Sequence, residues 1–102
     1  KIQEIIAKNE YEMQKQFVEN AYLTAVETYK NHQQAVDYFE TVGLQNAQTI
    51  SETANQQYLS GNIDYLERVL LVNQAIEIRS NYIETVRNRN MTIVEINSFV
   101  NQ

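Results

Sequence analysis

Apolar side chains recur every three or four residues along most of the chain. In the first part of the sequence they are Phe17, Val18, Ala21, Tyr22, Ala25, Val26, Tyr29, Val36, Phe39, Ala47, Ile50, Ala54 and Tyr58. This spacing predicts one long amphipathic helix over about 1–59. The helix is predicted to continue through Gly43, although a glycine in a helix interior costs about 1 kcal/mol relative to alanine. Any bend in the helix is expected there.

A second periodic run follows residue 63. Its apolar positions fall close to a seven-residue repeat interrupted by Arg79, Asn90 and Asn97, and they are Leu66, Val69, Val72, Ile76, Ile83, Val86, Ile93 and Val100. The repeat predicts a second helix over about 64–100 with a coiled-coil seam. A turn is predicted at 60–63, because Gly61 can adopt a positive φ at a helix end while Ser60 or Asn62 caps the neighbouring helices.

The resulting fold is all-α, a single long antiparallel helical hairpin over 1–102. Its first arm, of about 59 residues, would extend roughly 90 Å, and its second, of about 39, roughly 60 Å. About 20 residues at the start of the first arm therefore lack a partner in this chain and need other helices or another copy to cover them. The isolated chain is expected to self-associate, with an antiparallel bundle as one arrangement.

Composition narrows the class of function. Two glycines and no proline favour long helices over a fold with many turns. Eight basic residues against 13 acidic ones give a net charge of -5, which argues against binding to nucleic acid. No apolar run is long enough to span a membrane and no signal peptide opens the chain. Because it starts without Met or a capping residue, we expect it to be a piece of a longer protein, in which such segments could lie outside these residues.

The sequence predicts neither catalysis nor metal binding. His32 has Ala35 and Val36 where a second metal ligand would stand, and Met13 and Met91 are distant from each other, as expected of packing residues. A thin hairpin offers carboxylates no pocket that would raise their pKa, and the motifs of phosphate loops, nucleophile elbows and zinc proteases are missing. We therefore expect a non-enzyme without catalytic residues, metal ligands or cofactors.

Tyrosine is abundant for a chain of this length. A tyrosine on a helix can pack its ring while its hydroxyl stays in water, which suits partly exposed grooves between helices. The seven are Tyr11, Tyr22, Tyr29, Tyr38, Tyr58, Tyr65 and Tyr82. Tyr58, next to the predicted turn, is the best candidate for a switch.

The block ANQQYLSGNIDYLERVLLVNQAIEIRSNYIETVRNRNMTIVEINSFV resembles the closing stretch of the TolC-type outer-membrane efflux channel family. The resemblance covers about half the chain, and the upstream helix agrees with the family only in period. The shared elements, in chain order, are Tyr58, Gly61, Tyr65-Leu66, Asn73-Gln74-Ala75, Tyr82-Ile83 and Phe99-Val100. The segments GNIDYLE and NQAIEIRSNYIE are most similar to those of family members that serve heavy-metal resistance-nodulation-division (RND) pumps.

The resemblance implies a homotrimer whose protomers contribute strands to an outer-membrane barrel and long helices to a periplasmic tunnel. This hairpin would be the helix that descends to the tunnel tip and the shorter helix that returns. The function implied is a passive exit duct of a tripartite pump that exports metal ions or small toxic compounds, in a Gram-negative periplasm. The implied partners are a periplasmic adaptor and an inner-membrane RND pump, with the outer membrane reached through barrel strands absent here.

The resemblance also assigns roles to individual residues. The adaptor would dock at the tip, formed by Ser60, Gly61, Asn62 and Ile63. Tyr58 would help to hold the tunnel mouth closed through hydrogen bonds. Glu67, supplemented by Asp64, would belong to an acidic ring in which three carboxylates attract cations and raise one another's pKa.

Two positions depart from the family pattern. Ile63 stands where some members carry an arginine that latches onto the tyrosine, and Leu70 stands where they carry a second acidic residue. Any acidic ring would therefore have a single layer.

Two other functions fit the sequence. The chain would suit the coiled-coil hairpin of a periplasmic adaptor, whose gene would encode flanking lipoyl-like β segments. It would also suit a self-associating cytoplasmic coiled coil that serves as a scaffold.

Overall fold

The computed structural model describes residues 1–101. They form α1 (Ile2–Tyr38), a π-helical turn (Phe39–Gly43), α2 (Leu44–Leu59) and α3 (Tyr65–Val100), with no strand in the part of the chain described. The prediction of an all-α fold is confirmed. The molecule measures 86 × 21 × 16 Å along its principal axes. It is therefore a rod about two helices wide.

The second arm, α3, packs antiparallel along the first arm, which consists of α1, the π-helical turn and α2. Three edge-to-face aromatic pairs mark the register along the rod. From the tip to the open end they are Tyr58–Tyr65, Phe39–Tyr82 and Tyr22–Phe99, with ring centroids 6.1, 6.0 and 5.9 Å apart. Residues 1–20 are all exposed. Val18 and Glu19 lie beside Phe99 and Val100, and the residues before them extend beyond the end of α3, in agreement with the predicted unpartnered segment.

Small side chains form the buried seam between the arms. The buried apolar residues are Ala25, Val36, Ala47, Ala54 and Ala75, joined by Gly43. Val26, Tyr29, Phe39 and Ile50 of the predicted face of the first arm are half-buried, whereas Phe17 is exposed because it precedes the end of α3. The predicted face of the first arm is thus the one that α3 covers, from Ala25 onward.

The predicted seam of α3 is wrong for most of its residues. Leu66, Ile76 and Ile83 are 65%, 50% and 67% exposed, and Ile93 and Val100 are exposed as well. Of the predicted row, Val69, Val72 and Val86 are half-buried. A different seven-residue row faces the first arm and comprises Arg68, Ala75, Tyr82, Arg89 and Ile96. The error arose because α3 has two apolar faces, and because arginine can bury its aliphatic stem in a seam.

Arginines of α3 link the two arms at three heights. Arg68 Nε donates to Asn55 Oδ1 at 2.9 Å, and Arg79 Nη2 donates to Gln48 Oε1 at 3.3 Å. Further from the tip, Arg89 Nη1 donates to Gln33 Oε1 at 3.2 Å. Since each bond joins one amide to one guanidinium across the seam, the set favours a single alignment of the arms.

The π-helical turn adjusts the phase of the first arm. Seam residues Ala25, His32 and Phe39 are spaced by seven, as are Ala47 and Ala54, but Phe39 and Ala47 are spaced by eight. The wider turn at Phe39–Gly43 accommodates the extra residue. Gly43 suits this turn because a Cβ there would lie 2.8 Å from Cδ1 of Phe39. At the position of the predicted bend, the helix therefore changes from α to π, and Gly43 lies against the Phe39 ring.

Candidate functional site at the tip

The first arm ends in a Schellman motif. The backbone N–H of Gly61 donates to the carbonyl of Tyr58 at 3.1 Å, and that of Asn62 donates to the carbonyl of Gln57 at 2.9 Å. Gly61 has φ +81°, and a Cβ at this position would meet no atom within 4 Å. The glycine is therefore required by backbone conformation and not by lack of space.

Asp64 begins the second arm. Its side chain accepts a hydrogen bond from the backbone N–H of Glu67 at 2.8 Å, the bond of a helix N-cap. The predicted capping by Asn62 or Ser60 is wrong for α3. Ser60 instead serves the end of the first arm, since its hydroxyl donates to the carbonyl of Gln57 at 3.1 Å.

A cluster of two tyrosines and one arginine joins the arms directly behind the turn. The rings of Tyr58 and Tyr65 meet edge to face, and the guanidinium carbon of Arg68 lies 5.2 Å from the centre of the Tyr58 ring. This distance is within the range of a cation–π interaction. Because Arg68 also donates to Asn55, both of its contacts reach the first arm and hold the base of the turn closed.

The residues predicted for docking and gating lie within one short segment. Ser60, Gly61 and Asn62 are exposed and Ile63 is half-buried. Asp64 and Glu67 are also exposed, but the carboxylate of Asp64 is already engaged as the helix cap. The structure thus brings these positions together at the end of the rod, while their roles in docking and gating remain predictions.

Sequence reasoning missed Arg68, Tyr65 and Asn55 as members of this site. Tyr65 and Arg68 are three residues apart at the start of a predicted helix, so their common face could have been found. The pairing of Arg68 with Asn55 could not, because it depends on the alignment of two arms whose seam was misassigned.

The exposed apolar side chains of the tip suit contact with another macromolecule. Leu59, Tyr65 and Leu66 are large apolar residues with exposed side chains on either side of the turn.

Among residues 1–101, no group of three or more His, Cys, Asp or Glu side chains is placed to hold a metal ion. Within the same part of the chain, no helix combines the length and apolar character needed to cross a membrane.

Comparison of the chain with protein-family models, curated proteins and solved structures finds no match.

Proposed function

We propose that the chain is the periplasmic tunnel portion of a TolC-type outer-membrane efflux channel. In this proposal three copies of the parent protein form a passive exit duct, and the hairpin itself has no enzymatic activity. An inner-membrane RND pump supplies the energy and a periplasmic adaptor connects the two. The cargo would be metal ions or small toxic compounds, as in the family members whose sequences are most similar.

One observation carries the proposal: the Tyr-x-x-Gly element coincides with the reversal of a long hairpin whose arms differ in length. Tyr58 lies in the last turn of the first arm and Gly61 has the positive φ of the reversal. The other matching positions follow on α3, where Ala75 is buried and Tyr82 and Phe99 contact the first arm. About half of the family-like residues therefore contribute to the hairpin, whereas others, such as Leu66, Ile83 and Val100, are exposed.

The tip suggests how a closed mouth would be held. Ile63 replaces the arginine of some family members, but Arg68 supplies a cation to the face of the Tyr58 ring from the following helix. We propose that Arg68 takes over the latch on Tyr58, that Glu67 faces the pore, and that the exposed segment 60–63 docks the adaptor. Asp64 would contribute mainly as the cap of α3.

Cell fractionation tests the proposed location. An antibody raised against this chain should detect a heat-sensitive trimer in the outer-membrane fraction of the source cells. Recovery in the inner membrane would replace the proposal with an adaptor or a pump fusion. A soluble cytoplasmic protein would contradict it and favour the scaffold.

Single-channel recording of the full-length protein tests the gate. Glu67→Gln should reduce cation selectivity and block by divalent cations, since it removes one carboxylate per protomer from the constriction. Glu95→Gln is the matched control, because Glu95 is exposed near the opposite end of α3. Unaltered selectivity and block in Glu67→Gln would remove Glu67 from the gate.

A self-associating structural coiled coil is the second candidate. It is favoured by the large apolar side chains that remain exposed along both arms, such as Leu23, Val42, Ile76 and Ile83. Only this candidate places the protein in the cytoplasm, so the fractionation experiment separates the two.

A further inference from the structure

The seven-residue repeat of the seam keeps its phase across the turn. Ala47 and Ala54 hold the buried position of this repeat in the first arm, and Arg68 and Ala75 begin the matching row of α3. Gly61 stands seven residues after Ala54 and seven before Arg68, so it occupies the same position of the repeat. A turn interrupts the rotation of a helix, so a hairpin does not require its two arms to share one phase.

A second row of the repeat shows the same continuity. In the first arm it contains Ile50 and Gln57, and in α3 it contains Leu71 and Ile78, all of them half-buried. Asp64 stands seven residues from both Gln57 and Leu71. Two rows that are three residues apart and share a period of seven are the pattern of one continuous coiled-coil helix. The sequence from 47 to 99 therefore has the pattern of a single straight helix, although the chain reverses within it.

The contacts between the arms are symmetric about Gly61. The two members of each aromatic pair lie at nearly equal distances along the chain from this glycine, 3 and 4, 22 and 21, and 39 and 38 residues for Tyr58–Tyr65, Phe39–Tyr82 and Tyr22–Phe99. Two straight chains that cross antiparallel at Gly61 would therefore place each of these rings opposite the same neighbour, now on the other chain.

We propose that the hairpin opens at Gly61 and that two opened chains pair as an antiparallel coiled coil, in which each first arm binds the α3 of the other copy. This exchange is a domain swap and needs no new surface. Because the interface is the one already formed within the chain, its arginine–amide hydrogen bonds are matched in both forms. The dimer would extend roughly 180 Å at 1.5 Å per residue, against 86 Å for the hairpin.

The residues of the turn favour the closed form. Gly61 has the positive φ of the reversal, and Asp64 caps α3 by accepting from Glu67. In the opened chain Gly61 would stand in a helix interior, where glycine is unfavourable, and would leave a gap against Gly61 of the second copy. The hairpin therefore predominates at low concentration, and the open dimer increases as the concentration rises.

Replacing Gly61 by leucine should reverse this preference. Leucine resists positive φ, forms helix readily and, at this position of the repeat, fills the gap in the seam. Since both chains carry the change, Gly61→Leu should tighten dimerisation roughly a hundredfold or more. Sedimentation equilibrium gives the dissociation constant. Small-angle X-ray scattering should show that the maximum dimension rises from that of the 86 Å rod to roughly 180 Å.

Two further variants serve as controls. Asn62→Leu adds the same side chain one residue later, outside the seam and with Gly61 in place, so it should tighten dimerisation by no more than about fivefold. Tyr65→Pro added to Gly61→Leu should abolish the long dimer, because proline fits the first residue of α3 but breaks a continuous helix. The Tyr58–Tyr65 contact is lost in both forms, so its loss does not bias the comparison.

Several outcomes would overturn the swap. These are a Gly61→Leu chain that stays monomeric at about 0.1 mM, a dimer no longer than the hairpin, and a long dimer that survives Tyr65→Pro. Equal tightening by Asn62→Leu would trace the effect to added apolar surface and have the same result. If circular dichroism shows that Gly61→Leu does not fold, Gly61→Ala should still tighten dimerisation about tenfold, and no tightening would count against the swap.

Cross-linking identifies which arms are paired. The chain has no cysteine, so Tyr22→Cys and Phe99→Cys in one chain place two thiols at a contact between the arms. A short bismaleimide should join them within one chain in the closed monomer. In the Gly61→Leu background it should join two chains, and the product should run as a dimer on a denaturing gel. Products confined to single chains in a dimeric sample would show that hairpins associate without exchange, which would contradict the proposal.

Discussion

At Gly61 the backbone alone decides which residue can stand at the reversal. Its φ of +81° is costly for residues with a Cβ, while the surrounding space would admit a side chain. Asp64 and Ser60 complete the turn through one local hydrogen bond each. The tip is therefore held by interactions between residues close in sequence.

Replacing Gly61 measures this backbone requirement. Gly61→Ala should lower the free energy of unfolding by about 1 kcal/mol, because alanine resists positive φ. Gly61→Asn should lose roughly half as much, since asparagine visits this region more readily. Urea unfolding followed by circular dichroism, at a protein concentration where the chain is monomeric, gives both values. Equal losses for the two variants would show that φ is not what matters at this position.

The role of a single residue can be predicted from the sequence when its interactions are with residues close to it in the chain. Gly61 stood out because glycine has a known role at helix ends. Asp64 was overlooked as the cap because Ser60 and Asn62, which are also good capping residues, stand nearer the glycine. Arg68 was overlooked because its partner Asn55 belongs to the other arm.

The π-helical turn keeps two parts of one helix in phase with the same partner. The seam of α1 and that of α2 differ by one residue from a continuous seven-residue repeat, and Phe39–Gly43 takes up the difference. The glycine in the sequence predicts a bend at Gly43 but not the change of helix type. To predict the π-helical turn, one must know which residues of the first arm face α3. The apolar face of the first arm is several residues wide, so a shift of one residue in the seam cannot be seen in the sequence.

Deleting one residue tests this function of the turn. Removal of the exposed Glu40 should convert the π-helical turn to α-helix, leave both seams aligned and change the free energy of unfolding by less than about 1 kcal/mol. Removal of the exposed Ser80 from α3 should cost about 3 kcal/mol or more, because the residues beyond it rotate by roughly 100° away from the first arm. Thermal and urea unfolding compare the two deletions. A loss for the Glu40 deletion as large as that for Ser80 would show that the extra residue has another role.

The seam of α3 marks the limit of prediction at the scale of helices. Apolar periodicity identifies every apolar face of a helix but does not say which face meets which partner. In α3 the row with Ile76 and Ile83 is more apolar than the row with Arg68 and Arg89, yet the second row faces the first arm. Burial of long arginine stems and their bonds to amides makes that choice possible.

For the molecule as a whole, the two ends of the chain contribute unequally to stability. Residues 1–20 are exposed throughout, whereas the contacts between the arms extend from the tip to the Tyr22–Phe99 pair. The first segment is therefore available for other copies or partners and adds little to the hairpin itself.

Truncation from either end tests this inequality. A chain without residues 1–20 should keep its free energy of unfolding within about 1 kcal/mol of the full chain, since no buried residue is lost. A chain that ends at Tyr82 loses a similar number of residues but also the Arg89 and Phe99 contacts, so it should lose several kcal/mol, of order 3 or more. Urea unfolding of both chains at low concentration provides the comparison, and similar losses would contradict the proposed division.

The order of contacts along the rod has a consequence for how the chain folds. Tyr58 and Tyr65 are close in sequence, Phe39 and Tyr82 are further apart, and Tyr22 and Phe99 lie near opposite ends of the hairpin. Once the tip pair has formed, contacts between the arms can be added one helical turn at a time, so each new contact closes a loop of only a few further residues. The entropy of loop closure is therefore lost almost entirely when the turn at Gly61 forms. The remaining contacts between the arms can then form one after another, from the tip towards the open end.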